Sequence, residues 1–427
     1  MEDLMSLAGR QWIGGQEDFS TNKALTKIAA IVDDQCNRCG AKVSTQLPNG
    51  KKYCRACINI GRIVEGDYLV RNQMVVNFPP LKTDGLTWQG ELTAAQAQIS
   101  QQLVDNFNQH HNVLVHAVTG AGKTEMLFAL LAECFKLGQR ACIATPRIDV
   151  VNELYPRLQA AFGQITIGMY HGRKYQEPQL DQLTICTTHQ LLKFYQAFDL
   201  LVIDEVDSFP YANNAQLHFG AQNAVKGNGV RVYLTATPTA DLLAQVKAGQ
   251  LQILKLKRRF HGGKLPVPKE KLFLRSFLNR GKIHPKLMAA ILKVIAADHP
   301  LLLFVPRIEQ IPLYLAALKQ EAELADVAMA GVHAGDKKRL EKVQQFRQQL
   351  LQILITTTIL ERGVTFNHVW VIVIAADDRI YQAASLVQIA GRVGRAKEDN
   401  NGLVLFCYHK YTASLRSAMR QIRAMNR

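Results

Sequence analysis

Eight residues in the first third of the chain constrain its fold more than any other stretch. They read Ala-Val-Thr-Gly-Ala-Gly-Lys-Thr and run from Ala117 to Thr124. The apolar run at 112–116 predicts a buried strand before them, and the helical periodicity of 125–136 predicts a helix after them. We therefore predict a glycine-rich turn between a strand and a helix, a local structure in which backbone N–H groups can surround a phosphate.

The residues of this turn have separate predicted roles. Lys123 is expected to reach the β and γ phosphates of ATP, and the Thr124 hydroxyl is expected to hold Mg²⁺. The backbone that surrounds the phosphates consists of Thr119, Gly120, Ala121 and Gly122. The alternative is a glycine-rich turn that matches by chance, which the flanking strand and helix disfavour.

A second polar turn follows an apolar strand that begins at Phe198. Its two adjacent carboxylates suit a phosphoryl-transfer site: Asp204 is expected to hold Mg²⁺, and Glu205 is expected to orient and deprotonate the attacking water. Thr235 and Thr237, which follow a later strand, are expected to hydrogen-bond to this acidic turn. The alternative is a solvated acidic loop, which the nearby phosphate loop disfavours.

Weaker signals surround these two motifs. Gln96 precedes the phosphate loop at a distance that suits hydrogen bonds to adenine, although several other glutamines lie close by. Thr145, Arg147 and Thr188 follow two further strands, at the sheet edge where open α/β sheets bind ligands. Contacts to a sugar-phosphate backbone would suit these side chains, but each short motif alone has little specificity.

The last third repeats the alternation of strands and helices without a second phosphate loop. Gly363 lies in a predicted turn, and Gln388 begins the segment Gln-Ile-Ala-Gly-Arg-Val-Gly-Arg. Its arginines, Arg392 and Arg395, are three residues apart, so we predict them on one helical face. Such a pair can act as arginine fingers that stabilise charge on a transferring phosphate. The alternative is an ordinary basic helix.

Four cysteines near the start of the chain form two Cys-x-x-Cys pairs. These residues are Cys36, Cys39, Cys54 and Cys57, with 14 residues between the pairs. This spacing predicts a zinc site of the ribbon type, which is structural because four thiolates leave no position for water or substrate. Paired disulfides are the alternative, and the predicted cytoplasmic location, for which the reasons follow below, disfavours them.

The charge of the chain is unevenly placed. Its 427 residues are 48% hydrophobic, enough for two or three domains with buried cores, and its net charge is +16. Residues 256–427 hold 28 basic and 13 acidic side chains, so nearly all the excess lies there. This balance predicts a polyanionic partner, for which nucleic acid is the first candidate. No run approaches the ~18 apolar residues of a membrane span, and no signal-type core opens the chain, so we predict a cytoplasmic location.

The C-terminus repeats arginine at spacings of four, three and four. The arginines are Arg416, Arg420, Arg423 and Arg427, and the apolar residues between them are Leu415, Met419 and Ile422. The pattern predicts a basic amphipathic helix. Its stripe is either a solvated face or a contact for DNA phosphates or anionic lipid headgroups.

The ordered set of motifs resembles superfamily 2 helicases and translocases over about residues 90–425. Together with the four cysteines, it makes the chain resemble the ComFA family, the late competence ATPases of bacterial DNA uptake. The resemblance implies two RecA-like lobes that clamp ATP and track along single-stranded DNA at the cytoplasmic face of the membrane, with other competence proteins as partners. Val206 departs from the usual alanine of the acidic motif, which weakens any assignment to RNA-remodelling helicases.

The same resemblance implies a role for each matching residue. Lys123, Thr124, Asp204 and Glu205 would act from the first lobe, and Gln388, Arg392 and Arg395 would complete the site from the second. Gly363 would lie near the γ phosphate and Gln96 near adenine. The residues expected to grip the strand are Thr145, Arg147, Thr188, Arg307, Thr356 and Thr357.

The predicted fold class is therefore α/β, with two RecA-like lobes preceded by a small zinc-ribbon-type domain. The predicted boundaries are 1–85 for the N-terminal region with a cysteine module at about 33–62, 86–256 for the first lobe, 257–282 for a basic linker and 283–427 for the second lobe. The predicted cofactors are ATP, Mg²⁺ and Zn²⁺.

Three other functions stay open at this point. A primosome-type or repair DNA helicase would share the motor and a zinc module, and an RNA helicase would share the motor. An ATP-switched DNA-binding adaptor would need no hydrolysis, which Glu205 and the two arginines disfavour. Polarity, duplex unwinding and oligomeric state are not predicted.

Overall fold

The computed structural model describes residues 2–14, 24–80, 85–172, 177–395 and 402–427. It divides into two compact units. The first unit contains Met1–His116 and Lys123–Lys255, and the second contains Ala117–Gly122 and Leu256–Arg427. The centre of the predicted phosphate loop therefore belongs by its contacts to the second unit.

The N-terminal part of the first unit contains short strands around the cysteines. Its elements are helix α1 (Glu2–Ser6), strands β1 (Gln11–Gly14), β2 (Leu25–Ala29), β3 (Ile31–Val32), β4 (Gln35–Cys36), β5 (Thr45–Gln46) and β6 (Lys52–Tyr53), the 3₁₀ helix Arg55–Ile60 and strand β7 (Tyr68–Asn72). Strands β3–β4 and β5–β6 form two antiparallel pairs, and β7 lies between β1 and β2 in a three-stranded antiparallel sheet.

This three-stranded sheet differs from the sequence prediction. In the N-terminal region the sequence predicts only the cysteine module at about 33–62, whereas β1, β2 and β7 lie outside that range. The strands are only four or five residues long, and β7 pairs with strands far away in the chain. Short strands with distant partners carry little periodicity, so they are hard to detect.

The rest of the first unit is a seven-stranded sheet with helices. Its strands are β8 (Val113–Ala117), β9 (Ala141–Thr145), β10 (Ile167–Tyr170), β11 (Leu183–Thr187), β12 (Phe198–Asp204), β13 (Val225–Thr235) and β14 (Gln252–Leu256). Its helices are α2 (Ala94–Asn108), α3 (Lys123–Met126), α4 (Phe128–Lys136), α5 (Ile148–Ala161), α6 (Ala215–Ala224) and α7 (Ala240–Lys247), with a 3₁₀ helix at Thr188–Lys193.

The order of this sheet is β10-β11-β9-β12-β13-β8-β14. The pairings from β10 across to β8 are parallel, so the carboxyl ends of these strands share one edge. Strands β9 and β11 are buried along their whole length, as expected for a parallel sheet covered on both faces. The predicted polar motifs after β8, β9, β11, β12 and β13 therefore lie along one edge.

The second unit contains a six-stranded parallel sheet. Its strands are β15 (Lys269–Leu272), β18 (Leu301–Phe304), β19 (Met329–Val332), β20 (Ile353–Thr356), β21 (Trp370–Val373) and β22 (Val404–Tyr408), in the order β15-β22-β21-β18-β20-β19. Strands β16 (Leu278–Asn279) and β17 (Lys282–Ile283) form a separate antiparallel pair. The helices are α8 (Pro285–Ala296), α9 (Gln310–Lys319), α10 (Arg339–Arg347), α11 (Ala383–Ala390) and α12 (Ala413–Met425), with 3₁₀ turns at Ala322–Leu324 and Thr358–Leu360.

The segment predicted as a basic linker contributes structure to the second unit. Strand β15 pairs with β22 at the edge of the sheet, and β16 precedes α8. The two parallel sheets flanked by helices, with clustered cysteines near the N-terminus, confirm the predicted α/β fold class. Among the described residues, no helix is both long and apolar enough to cross a membrane.

Candidate nucleotide site and cysteine cluster

The predicted phosphate loop is a turn between a strand and a helix, as expected. Strand β8 ends at Ala117 and α3 begins at Lys123. Gly120 and Gly122 have φ angles of 79° and 69°, a left-handed conformation that glycine adopts without strain. The Thr119 hydroxyl is buried, and within the part of the chain that the structure describes it has no hydrogen-bond partner. A buried hydroxyl without a partner is one mark of a site that a ligand completes.

Two predicted catalytic residues meet in the first unit. Lys123 Nζ lies 3.5 Å from Asp204 Oδ1, and both side chains are largely buried. Asp204 Oδ1 also accepts a 2.9 Å hydrogen bond from the Glu205 backbone N–H. A lysine amine is a usual partner of phosphate, and carboxylate and hydroxyl oxygens such as those of Asp204 and Thr124 are usual ligands of Mg²⁺.

Glu205 lies in a turn with unusual backbone geometry. Its φ angle is 54°, which is uncommon for a residue with a side chain and recurs at functional sites. Its Oε2 lies 3.9 Å from Nε of Arg147, a residue we expected to grip the nucleic acid strand. Arg147 thus connects the turn after β9 to the predicted catalytic base.

The acidic turn is hydrogen-bonded to the end of β13, which confirms the predicted contact. Asp207 Oδ1 accepts a 2.8 Å hydrogen bond from Thr235 Oγ1, and Asp207 Oδ2 accepts one from Thr237 Oγ1. Thr235 Oγ1 also accepts a 2.9 Å hydrogen bond from the Thr237 backbone N–H. Side-chain hydrogen bonds therefore join the acidic turn to the end of β13 and to the segment that follows it.

Gln96 takes part in a capping box at the start of α2. Its side-chain oxygen accepts a 2.9 Å hydrogen bond from the Thr93 backbone N–H, while the Thr93 hydroxyl caps the helix. Ser100, one turn later, donates a 2.9 Å hydrogen bond to the Met126 carbonyl at the end of α3. The Ser100 hydrogen bond therefore joins α2 to the helix that follows the phosphate loop.

The second-unit residues that are predicted to complete the ATP site lie in one cluster. Arg392 is 2% exposed and donates a 3.0 Å hydrogen bond to the Glu361 carbonyl and another to the Val364 carbonyl. Arg395 donates 3.2 Å hydrogen bonds to the Gly391 carbonyl and to Thr365 Oγ1. The turn around Gly363 is therefore bound to the arginine segment, and buried Gln388 precedes that segment on α11.

The two arginines do not lie on one helical face, so that prediction is wrong. Helix α11 ends at Ala390, before both of them. Gly394 has a φ of 69°, which is incompatible with continuing the helix. A Cβ on Gly391 would lie 2.5 Å from the Thr119 hydroxyl oxygen, so this segment approaches the phosphate loop at a distance only glycine permits.

Arg259 is a site residue that the sequence analysis missed. It is 2% exposed and donates hydrogen bonds to the carbonyls of Val393 at 2.6 Å, Gly391 at 3.2 Å and Gly394. Burial, together with the nearby charge of Arg395, lowers the pKa of Arg259 to about 9. The Phe260 N–H donates a 3.1 Å hydrogen bond to the Gly120 carbonyl, so the segment that follows β14 also contacts the phosphate loop.

The residues expected to grip a strand differ in accessibility. Thr145, Thr188 and Thr356 are fully buried. Arg307 is accessible, and its guanidinium lies 3.7 Å from Asp378. Arg307 is thus better placed than the three buried hydroxyls to contact a nucleic acid.

The predicted C-terminal amphipathic helix is confirmed as α12. Arg416, Arg420 and Arg423 are exposed on it, and Arg427 is exposed just beyond its end. The intervening apolar side chains are buried: Leu415, Met419 and Ile422. The stripe therefore presents four cations to solvent.

The four predicted cysteines lie together and are buried. Cys36 Sγ lies 3.8 Å from Cys57 Sγ, and Cys39 Sγ lies 3.5 Å from Cys54 Sγ. All four sulfurs lie within 4.8 Å of one another. Hydrogen bonding, above all to Cys39, holds the pKa of Cys36 well below its usual value. Four converging thiols of this kind fit a tetrahedral zinc ion.

A buried arginine supports the cysteine cluster. Arg38 Nε lies 3.4 Å from Cys57 Sγ, and its other nitrogens donate to the carbonyls of Cys57, Ile60 and Gly61. A fixed cation beside the sulfurs offsets the negative charge of a four-thiolate site. The cysteines also share a hydrophobic core with first-unit residues that include Phe194 and Leu217, so the cysteine module does not pack as a core of its own.

Comparison with known proteins agrees with this organisation. Residues 89–240 match the family model described as "Type III restriction enzyme, res subunit", and residues 286–397 match "Helicase conserved C-terminal domain". The structure resembles the helicase Lhr of Mycobacterium smegmatis bound to ssDNA and AMP-PNP, with a TM-score of 0.59 at 17% identity over 79% of this chain and 50% of that one.

Two curated relatives match nearly the whole chain. The competence protein ComFA of Streptococcus pneumoniae is 43% identical over 92% of this chain and 90% of the relative. ComFA of Bacillus subtilis is 40% identical over 92% of this chain and 85% of the relative. With its helicase-type lobes and N-terminal cysteine cluster, the chain belongs to the ComFA family of competence proteins.

Proposed function

We propose that this protein is an ATPase that moves along single-stranded DNA and drives the uptake of transforming DNA into the cytoplasm. The observation that carries the proposal is the pairing of Lys123 with Asp204 at the carboxyl edge of a parallel sheet, directly after a glycine turn. An amine and a carboxylate there suit ATP and its Mg²⁺. Family membership and the Lhr-like fold support the same function.

Each residue of the candidate site has a proposed task. The Lys123 amine binds the β and γ phosphates, and the backbone from Thr119 to Gly122 surrounds them. Thr124 and Asp204 hold the magnesium ion, which neutralises phosphate charge. Glu205 accepts the proton of the attacking water, and Gln96 is proposed to meet adenine.

The arginine segment completes this site in the proposal. Arg392 and Arg395 stabilise the charge that develops on the transferring phosphate, and Gln388 and Gly363 shape the turn around them. The support is the close approach of Gly391 to Thr119, both of which belong to the second unit. Arg259, which binds three carbonyls of the arginine segment, holds that segment in place.

Nucleic acid is the proposed polyanionic partner. The excess of basic residues after residue 256 and the exposed arginines of α12 supply positive charge for phosphates. The same stripe supports a peripheral association with anionic lipid on the cytoplasmic face of the membrane. Other competence proteins are the proposed protein partners, because both curated relatives are competence proteins.

Zinc is the metal ion that the cysteine cluster is proposed to bind. We predict one zinc ion per chain, lost in Cys36→Ala and in Cys57→Ala, because a structural site needs all four thiolates. Since the cysteines share the core of the first unit, both variants should also unfold at a lower temperature than the parent chain. Metal analysis together with thermal unfolding measures the two effects.

The control for the metal experiment is Cys407→Ala. This thiol is buried in the core of the second unit and is not one of the four clustered cysteines, so the variant should keep its zinc. Parent protein prepared without chelator or acid that contains no zinc would remove the metal from the proposal. An equal loss of zinc in Cys407→Ala would show that the metal reports general unfolding.

The experiment that tests the proposed function compares how strongly different nucleic acids stimulate ATP turnover. ATP turnover is measured with single-stranded DNA, duplex DNA and RNA at equal concentrations of nucleotide units. We expect the greatest stimulation by single-stranded DNA. Greater stimulation by RNA would favour an RNA helicase, and strand separation on forked DNA would favour a primosome-type or repair helicase.

A further inference from the structure

A cavity of about 370 Å³ lies in the first unit, away from the proposed ATP residues. It is lined by β1, by the end of β10 and by the 3₁₀ helix Thr188–Lys193. Its volume falls within the ~300–1,000 Å³ range of small-ligand sites. Neither Lys123 nor Asp204 nor Glu205 lines it, so this cavity is not part of the proposed ATP site.

Arg10 is a buried cation in the lining of the cavity. Arg10 is 6% exposed. Its guanidinium carbon lies 4.5 Å from the ring centre of Tyr170 and 4.6 Å from that of Phe194. A backbone bridge between Arg10 and Phe194 fixes its position further. The guanidinium is therefore held between two aromatic rings before any ligand arrives.

Two donors of this guanidinium have no partner. Arg10 Nε and Nη2 are buried, and no residue in the described ranges accepts a hydrogen bond from them. Buried guanidinium nitrogens are rarely left in this state, because the lost hydrogen bonds to water are not replaced. Nε and one Nη together form the fork that binds phosphate or carboxylate in a bidentate manner.

The lining of the cavity favours an anion. Lys193 lines it as a second cation, and burial, followed by the charges of Arg10 and Arg38, lowers the pKa of Lys193. Of the described residues that line the cavity, none is an aspartate or a glutamate. The nearby Asp181 accepts a hydrogen bond from the Tyr170 hydroxyl and does not line the cavity.

The remaining walls suit a nucleobase. The Trp12 indole provides a partly exposed aromatic surface, and the amides of Asn59 and Gln190 can hydrogen-bond to base edges. An aromatic ring beside cations is the usual composition of sites for single-stranded nucleic acid. Asn59 belongs to the 3₁₀ helix of the second cysteine pair, so the cysteine module forms part of this wall.

We propose that this cavity binds one nucleoside phosphate, with the phosphate on Arg10 and Lys193 and the base against Trp12. The bound nucleoside phosphate is one nucleotide of the single-stranded DNA, an assignment that rests on the proposed function. A free nucleotide offers the same chemistry. The N-terminal region then takes a direct part in strand binding, beyond bracing the fold.

The test is the affinity for a fluorescent single-stranded oligonucleotide, measured by anisotropy without ATP. Arg10→Gln and Lys193→Gln should each weaken binding about tenfold, as expected when a charge-assisted hydrogen bond is lost. Trp12→Leu should weaken it by a similar factor through lost stacking. The matched control is Lys247→Gln on α7, an exposed lysine outside the cavity, which should bind like the parent.

Two further measurements keep the proposal falsifiable. Thermal unfolding of each variant shows whether it is folded. If Arg10→Gln is unstable, the affinity of Lys193→Gln for the oligonucleotide tests the cavity instead. If the parent binds the oligonucleotide and folded Lys193→Gln and Trp12→Leu bind equally well, the cavity proposal is overturned while the proposed function stands.

Oligonucleotide binding by the parent chain distinguishes failure of the proposed function from failure of the cavity proposal. If the parent binds no oligonucleotide, strand binding itself is contradicted. Thymidine monophosphate is then titrated into Lys123→Ala, whose phosphate loop is disabled, and into the same chain with Lys193→Gln. Binding that depends on Lys193 would identify a free nucleotide as the occupant, and no binding would overturn the cavity proposal.

Discussion

Replacing Lys123 with alanine is expected to abolish detectable ATP turnover and to weaken ATP binding. The amine pairs with Asp204 in the structure and is the cation that the phosphate loop presents to the β and γ phosphates. A hydrogen bond to a charged group contributes about 1.5–3 kcal/mol, which corresponds to roughly 10- to 100-fold in affinity. Fluorescent nucleotide titration measures binding, and phosphate release measures turnover.

The control for this variant is Lys136→Ala at the end of α4. Lys136 is exposed, and its amine pairs only loosely with Glu133 at 3.8 Å. We expect this chain to bind and hydrolyse ATP like the parent. Unchanged turnover in Lys123→Ala would mean that the glycine turn is not the phosphate-binding loop.

Replacing Glu205 with glutamine is expected to produce a different defect. The substitution keeps the shape of the side chain but removes the base, so ATP should still bind while hydrolysis falls about 10²- to 10⁴-fold. The backbone conformation at this position, with φ near 54°, should persist because the side chain keeps its length. Measuring binding and turnover on the same preparation separates this defect from that of Lys123→Ala.

Glu133→Gln is the matched control for the second variant, since its carboxylate lies on α4 outside the candidate site. It should turn over ATP at the parent rate. Hydrolysis by Glu205→Gln at close to the parent rate would exclude Glu205 as the base that activates water. Loss of ATP binding together with hydrolysis would instead indicate that the acidic turn had lost its structure.

Much of the fold could be predicted because it depends on local patterns. The strands before the phosphate loop and before Asp204 contain the buried apolar runs 113–115 and 200–203, and parallel sheets bury such runs on both faces. The cysteine spacing likewise predicted four sulfurs that now lie together. The expected hydrogen bond from Thr235 to the acidic turn is also present, with Asp207 as the acceptor.

The missed features depend on contacts between distant parts of the chain. Arg259 stands in a basic stretch without a motif, and only its burial among the carbonyls of the arginine segment distinguishes it from its neighbours. The helical prediction for Arg392 and Arg395 relied on spacing and overlooked the two glycines beside them. The packing of the cysteine module on first-unit residues such as Leu217 has no signal in either segment alone.

The central claim is that ATP hydrolysis in this chain is coupled to single-stranded DNA. Its most direct test is the steady-state ATP turnover of the full chain, measured with and without single-stranded DNA at saturating ATP. We expect DNA to raise turnover about tenfold or more, equivalent to at least ~1.4 kcal/mol of preferential binding to the hydrolysing state. Turnover that single-stranded DNA leaves unchanged, in a preparation shown to bind both ATP and DNA, would contradict the account.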